Sequence, residues 1–108
     1  VILLTQNVGN ITPYFNQHAV IQICRRYPVK KLQLFGSAVI GTFDPDKSDF
    51  DLLIDFAESE NLFDTYFNLK FELEKILKRD VDLLDNQALV NPYVRQRVEK
   101  EARIVYEA

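Results

Sequence analysis

Two aspartates two residues apart, Asp49 and Asp51, flank the start of an apolar run, Leu52-Leu53-Ile54. In a β-strand, residues i and i+2 point to the same face, so the pair presents two carboxylates side by side. Like charges held that close repel, and the arrangement is costly unless a cation sits between them. Hard carboxylate oxygens suit a divalent ion such as Mg²⁺. Upstream, Gly36-Ser37 closes another largely apolar run, Leu32-Gln33-Leu34-Phe35. A glycine that ends a strand ahead of a helical turn lets a phosphate approach the backbone N–H groups of that turn. A third aspartate, Asp82, precedes Leu83-Leu84 in a separate apolar segment.

Asp-x-Asp alone is ordinarily a solvated pair of surface carboxylates. The combination says more. Three carboxylates from two neighbouring strands can hold one or two Mg²⁺ ions, with substrate phosphates completing the shell. Such a site suits phosphoryl or nucleotidyl transfer. Asp49 and Asp51 would be metal ligands. Asp82 would share a metal and act as general base on an acceptor hydroxyl. Ser37 would donate to a phosphate oxygen, a role compatible with capping the turn it begins.

A small chain must position these groups. Its 108 residues predict one domain spanning the whole length, with a modest core. An apolar fraction of 47% is that of a folded protein rather than a disordered one. The formal net charge of −3 argues against strong non-specific binding to a nucleic-acid backbone. The single cysteine, Cys24, excludes an internal disulfide and a cysteine-based zinc site. It falls in an apolar helical pattern and reads as a core residue. A reducing cytoplasm fits. Val1-Ile2-Leu3-Leu4 is too short an apolar start for a signal peptide or a membrane span.

Residues 1–11 read as a short strand or a loose arm. Thr12-Pro13 predicts a helix start, with Phe15, Ala19, Val20, Ile23, Cys24 and Tyr27 on one face and Pro28 ending it. His18, the single histidine, reads as a surface residue. Lys31 to Phe35 is the first predicted strand, followed by a helical turn over Ala38 to Ile40 and a polar loop to Lys47. Phe50 to Phe56 is the second strand; Asp49, Asp51, Leu53 and Asp55 share one face, and Phe50, Leu52, Ile54 and Phe56 the other. Leu62 to Lys78 predicts a helix whose core stripe is Leu62, Tyr66, Leu69, Leu73, Ile76 and Leu77. A third strand covers Val81 to Leu84. Asn91-Pro92 starts a last helix marked by Tyr93, Val94, Val98 and Ala102, and Ile104-Val105-Tyr106 forms a closing strand. This order predicts an α+β fold: a small mixed β-sheet with helices packed on one side.

At these positions the sequence resembles the minimal nucleotidyltransferases of the DNA polymerase β-like superfamily. The likeness rests on Leu34-Phe35-Gly36-Ser37-Ala38, Gly41, Ser48-Asp49-Phe50-Asp51-Leu52 and Val81-Asp82-Leu83-Leu84. It runs from about residue 12 to the end, through Asn91-Pro92-Tyr93 and Glu101-Ala102-Arg103. The resemblance implies the polymerase β-like palm fold and Mg²⁺-dependent transfer of a nucleoside monophosphate, AMP from ATP, to a hydroxyl. Asp49, Asp51 and Asp82 then take the catalytic and metal positions, with Gly36, Ser37 and Ser48 at the nucleotide. Small members of the family are often antitoxins that adenylylate a tyrosine of a HEPN-type ribonuclease toxin, which implies such a toxin as partner. The alternatives are a non-catalytic, toxin-neutralising scaffold, or nucleotidyl transfer to a small molecule. Where relatives commonly carry Arg before the second glycine, this chain has Ile40, and Lys47 is the nearby cation in its place.

Phe63, Phe67 and Phe71 fall on a second row of the long helix at i, i+4 and i+8, turned roughly 100° or more from the core stripe. Unless a loop or the N-terminal arm covers them, they form an apolar patch suited to a partner or a second copy.

Overall fold

Period-two alternation along Phe50–Phe56 decides the architecture. Phe50, Leu52, Ile54 and Phe56 are buried on one face, while Asp51 and Asp55 are half-buried on the other. The computed structural model describes residues 11–108, so the strand or arm expected over residues 1–11 lies almost wholly outside the described residues. Among the described residues four strands form one sheet: β1 Val29–Phe35, β2 Phe50–Phe56, β3 Val81–Asp85 and β4 Arg103–Glu107, in the spatial order β3-β2-β1-β4. β1 is antiparallel to both β2 and β4, and β2 is parallel to β3. A parallel pair requires a crossover. Helix α3, Leu62–Leu77, supplies it; the other α-helices among the described residues are α1 Gln17–Cys24, α2 Ser37–Ile40 and α4 Pro92–Glu101.

The main core lies between the sheet and helices α1 and α3. Leu32, Leu34, Leu52, Ile54, Leu83 and Val105 of the strands meet Val20, Ile23 and Cys24 of α1 and Leu69, Leu73 and Leu77 of α3. Cys24 is a core residue as expected, its thiol pushed up to about 12 by burial. His18 is exposed, also as expected. Helices on one side describes α1 and α3. Helix α4 lies against the opposite face, where Val98, Val94 and Ala102 cover Phe35, Leu53 and Leu84. The reason is local: Leu53 and Phe35 make an apolar spot on the otherwise acidic face, and burying it is worth about 25 cal/mol per Å².

Three smaller expectations shift. Thr12-Pro13 does not open the first helix. Ile11 to Phe15 form a turn in which the Tyr14 and Phe15 amides donate to the Ile11 carbonyl. The helix begins after Asn16, whose side chain accepts from the Ala19 amide. The turn carries both Ile11 and Phe15 into the core, and Asn is the stronger cap. Ile76 is 40% exposed, because Leu69, Leu73 and Leu77 alone complete the buried stripe of α3. Tyr93 points to solvent, 78% exposed.

Asn91-Pro92 does start α4 as the sequence implies. The Asn91 side chain accepts from the Tyr93 and Val94 amides, with Pro92 at the first helical position. Because α4 is held by few buried residues, this cap matters. Asn91→Ala is expected to cost about 1 kcal/mol, lowering the melting midpoint by about 4–8 °C in thermal denaturation. An unchanged midpoint would show that packing alone holds the helix.

Candidate active site

One end of the sheet gathers the acidic residues. Asp51 and Asp82 are direct neighbours across the parallel β2–β3 ladder, so their side chains leave the same face. Asp49 lies two residues before Asp51, exposed, just outside the strand. Across the antiparallel β1–β2 pair, Phe35 sits opposite Asp51. The next residue, Gly36, therefore abuts the Asp51 carboxylate: a Cβ built on Gly36 would lie 2.1 Å from Asp51 Oδ2. Gly36 also has φ +77° and ψ −150°, a conformation that essentially only glycine adopts. Two independent constraints thus require glycine at this position.

The carboxylates repel, as their spacing implies. Asp51 is pushed up to about 6, first by burial and then by the charge of Asp82; Arg97 opposes the shift, and Asp49 and Glu101 add to it. Arg97 and Glu101 come from the last turns of α4, and sequence reasoning assigned them no role. Glu101 Oε2 accepts from the Gly36 N–H at 3.3 Å, and Glu101 Oε1 lies 3.8 Å from Arg97 Nε. The available signal was their i, i+4 spacing. Only the packing of α4 on the acidic face brings the pair to Asp51.

Of the expected nucleotide-contacting residues, Gly36 and Ser37 stand at the start of α2, with Gly36 in the N-cap position. Val39 and Ile40 amides donate to the Gly36 carbonyl, and Gly41 and Thr42 amides to that of Ser37. Ser48 lies in the loop before β2. Its hydroxyl accepts from the Asp44 amide at 2.8 Å and its amide donates to the Asp44 carbonyl, which closes the Asp44–Ser48 loop. Ile40 ends α2 with 54% of its surface exposed, and Lys47 is exposed on the loop.

The donor chemistry fits Mg²⁺. Among the described residues no three carboxylate, thiol or imidazole groups are gathered tightly enough to hold an ion by themselves. Mg²⁺ does not need such a cage; it is usually bound by one or two carboxylates together with waters and substrate phosphates. Burial and the neighbouring charge of Asp82 raise Asp51, and a divalent cation held there would favour its ionised form. Asp49, Asp51 and Asp82 are the residues that would hold it.

A family model described as a nucleotidyltransferase domain matches residues 19–105, a span containing every one of these groups. The chain belongs to the nucleotidyltransferase family. A provisionally named protein adenylyltransferase of Methanocaldococcus jannaschii is 38% identical over 77 residues, covering 70% of this chain and 76% of that protein. Among solved structures, one described as a minimal nucleotidyltransferase, also provisionally, superposes with a TM-score of 0.66 at 34% identity, covering 81% of this chain and 86% of that one. A toxin–antitoxin structure with AMP-PNP superposes with a TM-score of 0.70 at 25% identity, covering 87% and 75%. The fold is thus that of the minimal nucleotidyltransferases, and Asp49, Asp51 and Asp82 all lie within the span that the family model matches. Among its described residues no helix is long and apolar enough to cross a membrane.

Proposed function

We propose that this nucleotidyltransferase moves AMP from ATP to a tyrosine hydroxyl of a HEPN-type toxin, and so acts as an antitoxin. The observation that carries the reading is the pairing of Asp51 with Asp82 beside a glycine that leaves room for nothing larger. Similarity to a toxin–antitoxin structure with AMP-PNP supports both the nucleotide and the partner.

Bound Mg²⁺ would neutralise the triphosphate and align the attacking and leaving oxygens. Ser37 and the backbone after Gly36 orient the phosphates. Asp82, the more exposed of the paired carboxylates, takes the proton from the acceptor hydroxyl. The hydroxyl oxygen then bonds the α-phosphorus, and the bond to the leaving pyrophosphate breaks. The partner supplies the acceptor hydroxyl and much of that half of the site.

Calorimetry with Mg²⁺ and ATP is expected to show metal-dependent binding that Asp49→Asn removes. Mass spectrometry of the partner after incubation with ATP is expected to show added AMP on tyrosine. An unmodified partner despite binding would sink the transfer. Ile40, exposed where the family resemblance would place an arginine, favours the second reading of a scaffold that neutralises a toxin by contact alone. Absence of Mg²⁺-ATP binding by the wild type would establish that reading instead.

The partner surface we assign to the row Phe63, Phe67 and Phe71, exposed by 75%, 51% and 67%. Phe63 and Phe67 already touch, with ring centroids 4.9 Å apart. Solvent-facing aromatic rows of this kind serve association rather than folding. Phe67→Asp is expected to abolish the toxin complex on size-exclusion chromatography and leave the circular dichroism of the free chain unchanged. Retention of the complex would reject the assignment.

A further inference from the structure

Arg79 lies in the short connection between α3 and β3, three residues before Asp82. Its guanidinium does not pair with a carboxylate among the described residues. It sits instead over three aromatic rings, with centroids 4.9 Å away at Phe43, 5.4 Å at Phe50 and 5.6 Å at Tyr14. Phe43 stacks on Phe50 at 5.0 Å, only 8° from parallel, so the rings form a firm seat. Within about 6 Å such ring faces attract a cation. The Arg79 Nε–H is buried without a hydrogen-bond partner. A buried donor left unpaired is unfavourable, so this side chain is held where it is by something other than its own comfort.

What it holds is the Ser48 carbonyl, to which Nη1 donates at 2.9 Å. That carbonyl belongs to the peptide joining Ser48 to Asp49. The β2–β3 ladder begins only at Phe50 and Val81, so Asp49 lies outside it. The nearest backbone tie between the two segments, from the Phe50 amide to the Asp80 carbonyl, is long at 3.4 Å. On its other side, among the described residues, Ser48 is tied into its own loop through Asp44. Arg79 therefore adds, beside that long backbone bond, a side-chain link from the segment carrying Asp82 to the Ser48–Asp49 peptide.

We propose that Arg79 is a positioning residue for nucleotidyl transfer: seated on Tyr14, Phe43 and Phe50, it fixes the Ser48–Asp49 peptide so that the Asp49 carboxylate stands in register with Asp51 and Asp82. This rests on the reading of those three residues as the ion and nucleotide site. Arg79 does not touch substrate. It acts through Asp49, as outer groups act on the ligands they orient.

Two variants and two readouts test it. Arg79→Met keeps an unbranched, polarizable chain against the rings and deletes the donor. Arg79→Lys keeps a cation and one donor that can reach the carbonyl. In Arg79→Met, the Mg²⁺ concentration for half-maximal ATP binding is expected to rise about tenfold or more, and Arg79→Lys is expected to recover most of that loss. Independently of any ligand, amide hydrogen exchange at Ser48 and Phe50 is expected to quicken in Arg79→Met, with Leu34 in β1 unchanged as the internal reference. A lower melting point with unchanged Mg²⁺ dependence and unchanged exchange at Ser48 and Phe50 would overturn the proposal and leave Arg79 a packing residue. If the wild type binds neither ion nor nucleotide, the site reading fails on its own account, and exchange at Ser48 and Phe50 alone decides whether Arg79 anchors this peptide.

Discussion

Asp51→Asn is expected to abolish nucleotidyl transfer while making the ion-free protein more stable. The two effects have one cause. Asp51 is half-buried between Gly36 and Asp82, and its carboxyl is raised from 3.8 to about 6. A folded-state value above the unfolded one means that the native state binds the proton more tightly. Stability from this group is therefore fully present below about pH 4 and is lost as pH rises through about 6. At neutral pH the ionised Asp51 weighs against the fold. Discounted for the water that reaches a half-exposed group, the penalty is on the order of 1 kcal/mol. Asparagine keeps the shape and removes the charge, so urea denaturation without metal is expected to show higher stability at pH 7 and parity with wild type near pH 4. Transfer is expected to fall by about 10²-fold or more, the scale on which one electrostatic group at a reacting centre commonly acts. Wild-type binding of Mg²⁺-ATP is expected to weaken below about pH 6, where the proton competes with the cation. A variant that is less stable at pH 7, or that retains transfer, would remove Asp51 from the site.

Gly36→Ala is expected to be the most damaging single methyl group in the chain. The new Cβ would stand 2.1 Å from Asp51 Oδ2 and 2.9 Å from its Cγ, and the backbone there has φ +77°. Either Asp51 swings away or the β1–α2 junction shifts, and in both cases the carboxylate pair is broken. The strained backbone alone costs about 1–3 kcal/mol. Loss of transfer is expected to match that of Asp51→Asn, with stability lowered instead of raised. Gly41 makes the comparison sharp. It too has a positive φ, +89°, but no described residue lies within 4 Å of a Cβ built there. Gly41→Ala should cost about 1–2 kcal/mol of backbone strain and spare the Asp51 carboxylate. Equal loss of transfer in both variants, assayed on the folded fraction, would show that the contact with Asp51 is not what Gly36 protects.

Much of this was legible before any coordinates. Alternation in Phe50–Phe56 fixes which side of β2 is acidic, because a strand has a strict period of two. Asn91-Pro92 announces α4, because a capping side chain and a locked φ act within one turn. Leu69, Leu73 and Leu77 announce the buried stripe of α3. These are local rules, and the sequence carries them locally. Ile76 misled because a helix repeat says which residues share a stripe, not how wide the neighbouring surface is.

The amino-acid sequence by itself determined the chemistry on offer: three aspartates, a Gly-Ser turn and an apolar frame able to hold them. Tertiary structure decided who stands next to whom. The parallel register that sets Asp51 beside Asp82 comes from the α3 crossover, a contact between residues 31 positions apart in the chain. Helix α4 crossed to the acidic face because Leu53 and Phe35 needed covering, and it carried Arg97 and Glu101 to the site with it. Arg79 reached the Ser48 carbonyl because its charge settled on rings drawn from three separate segments. Periodicity and capping operate over a few residues, whereas the field around Asp51 is a sum over groups that only the packed fold brings within range.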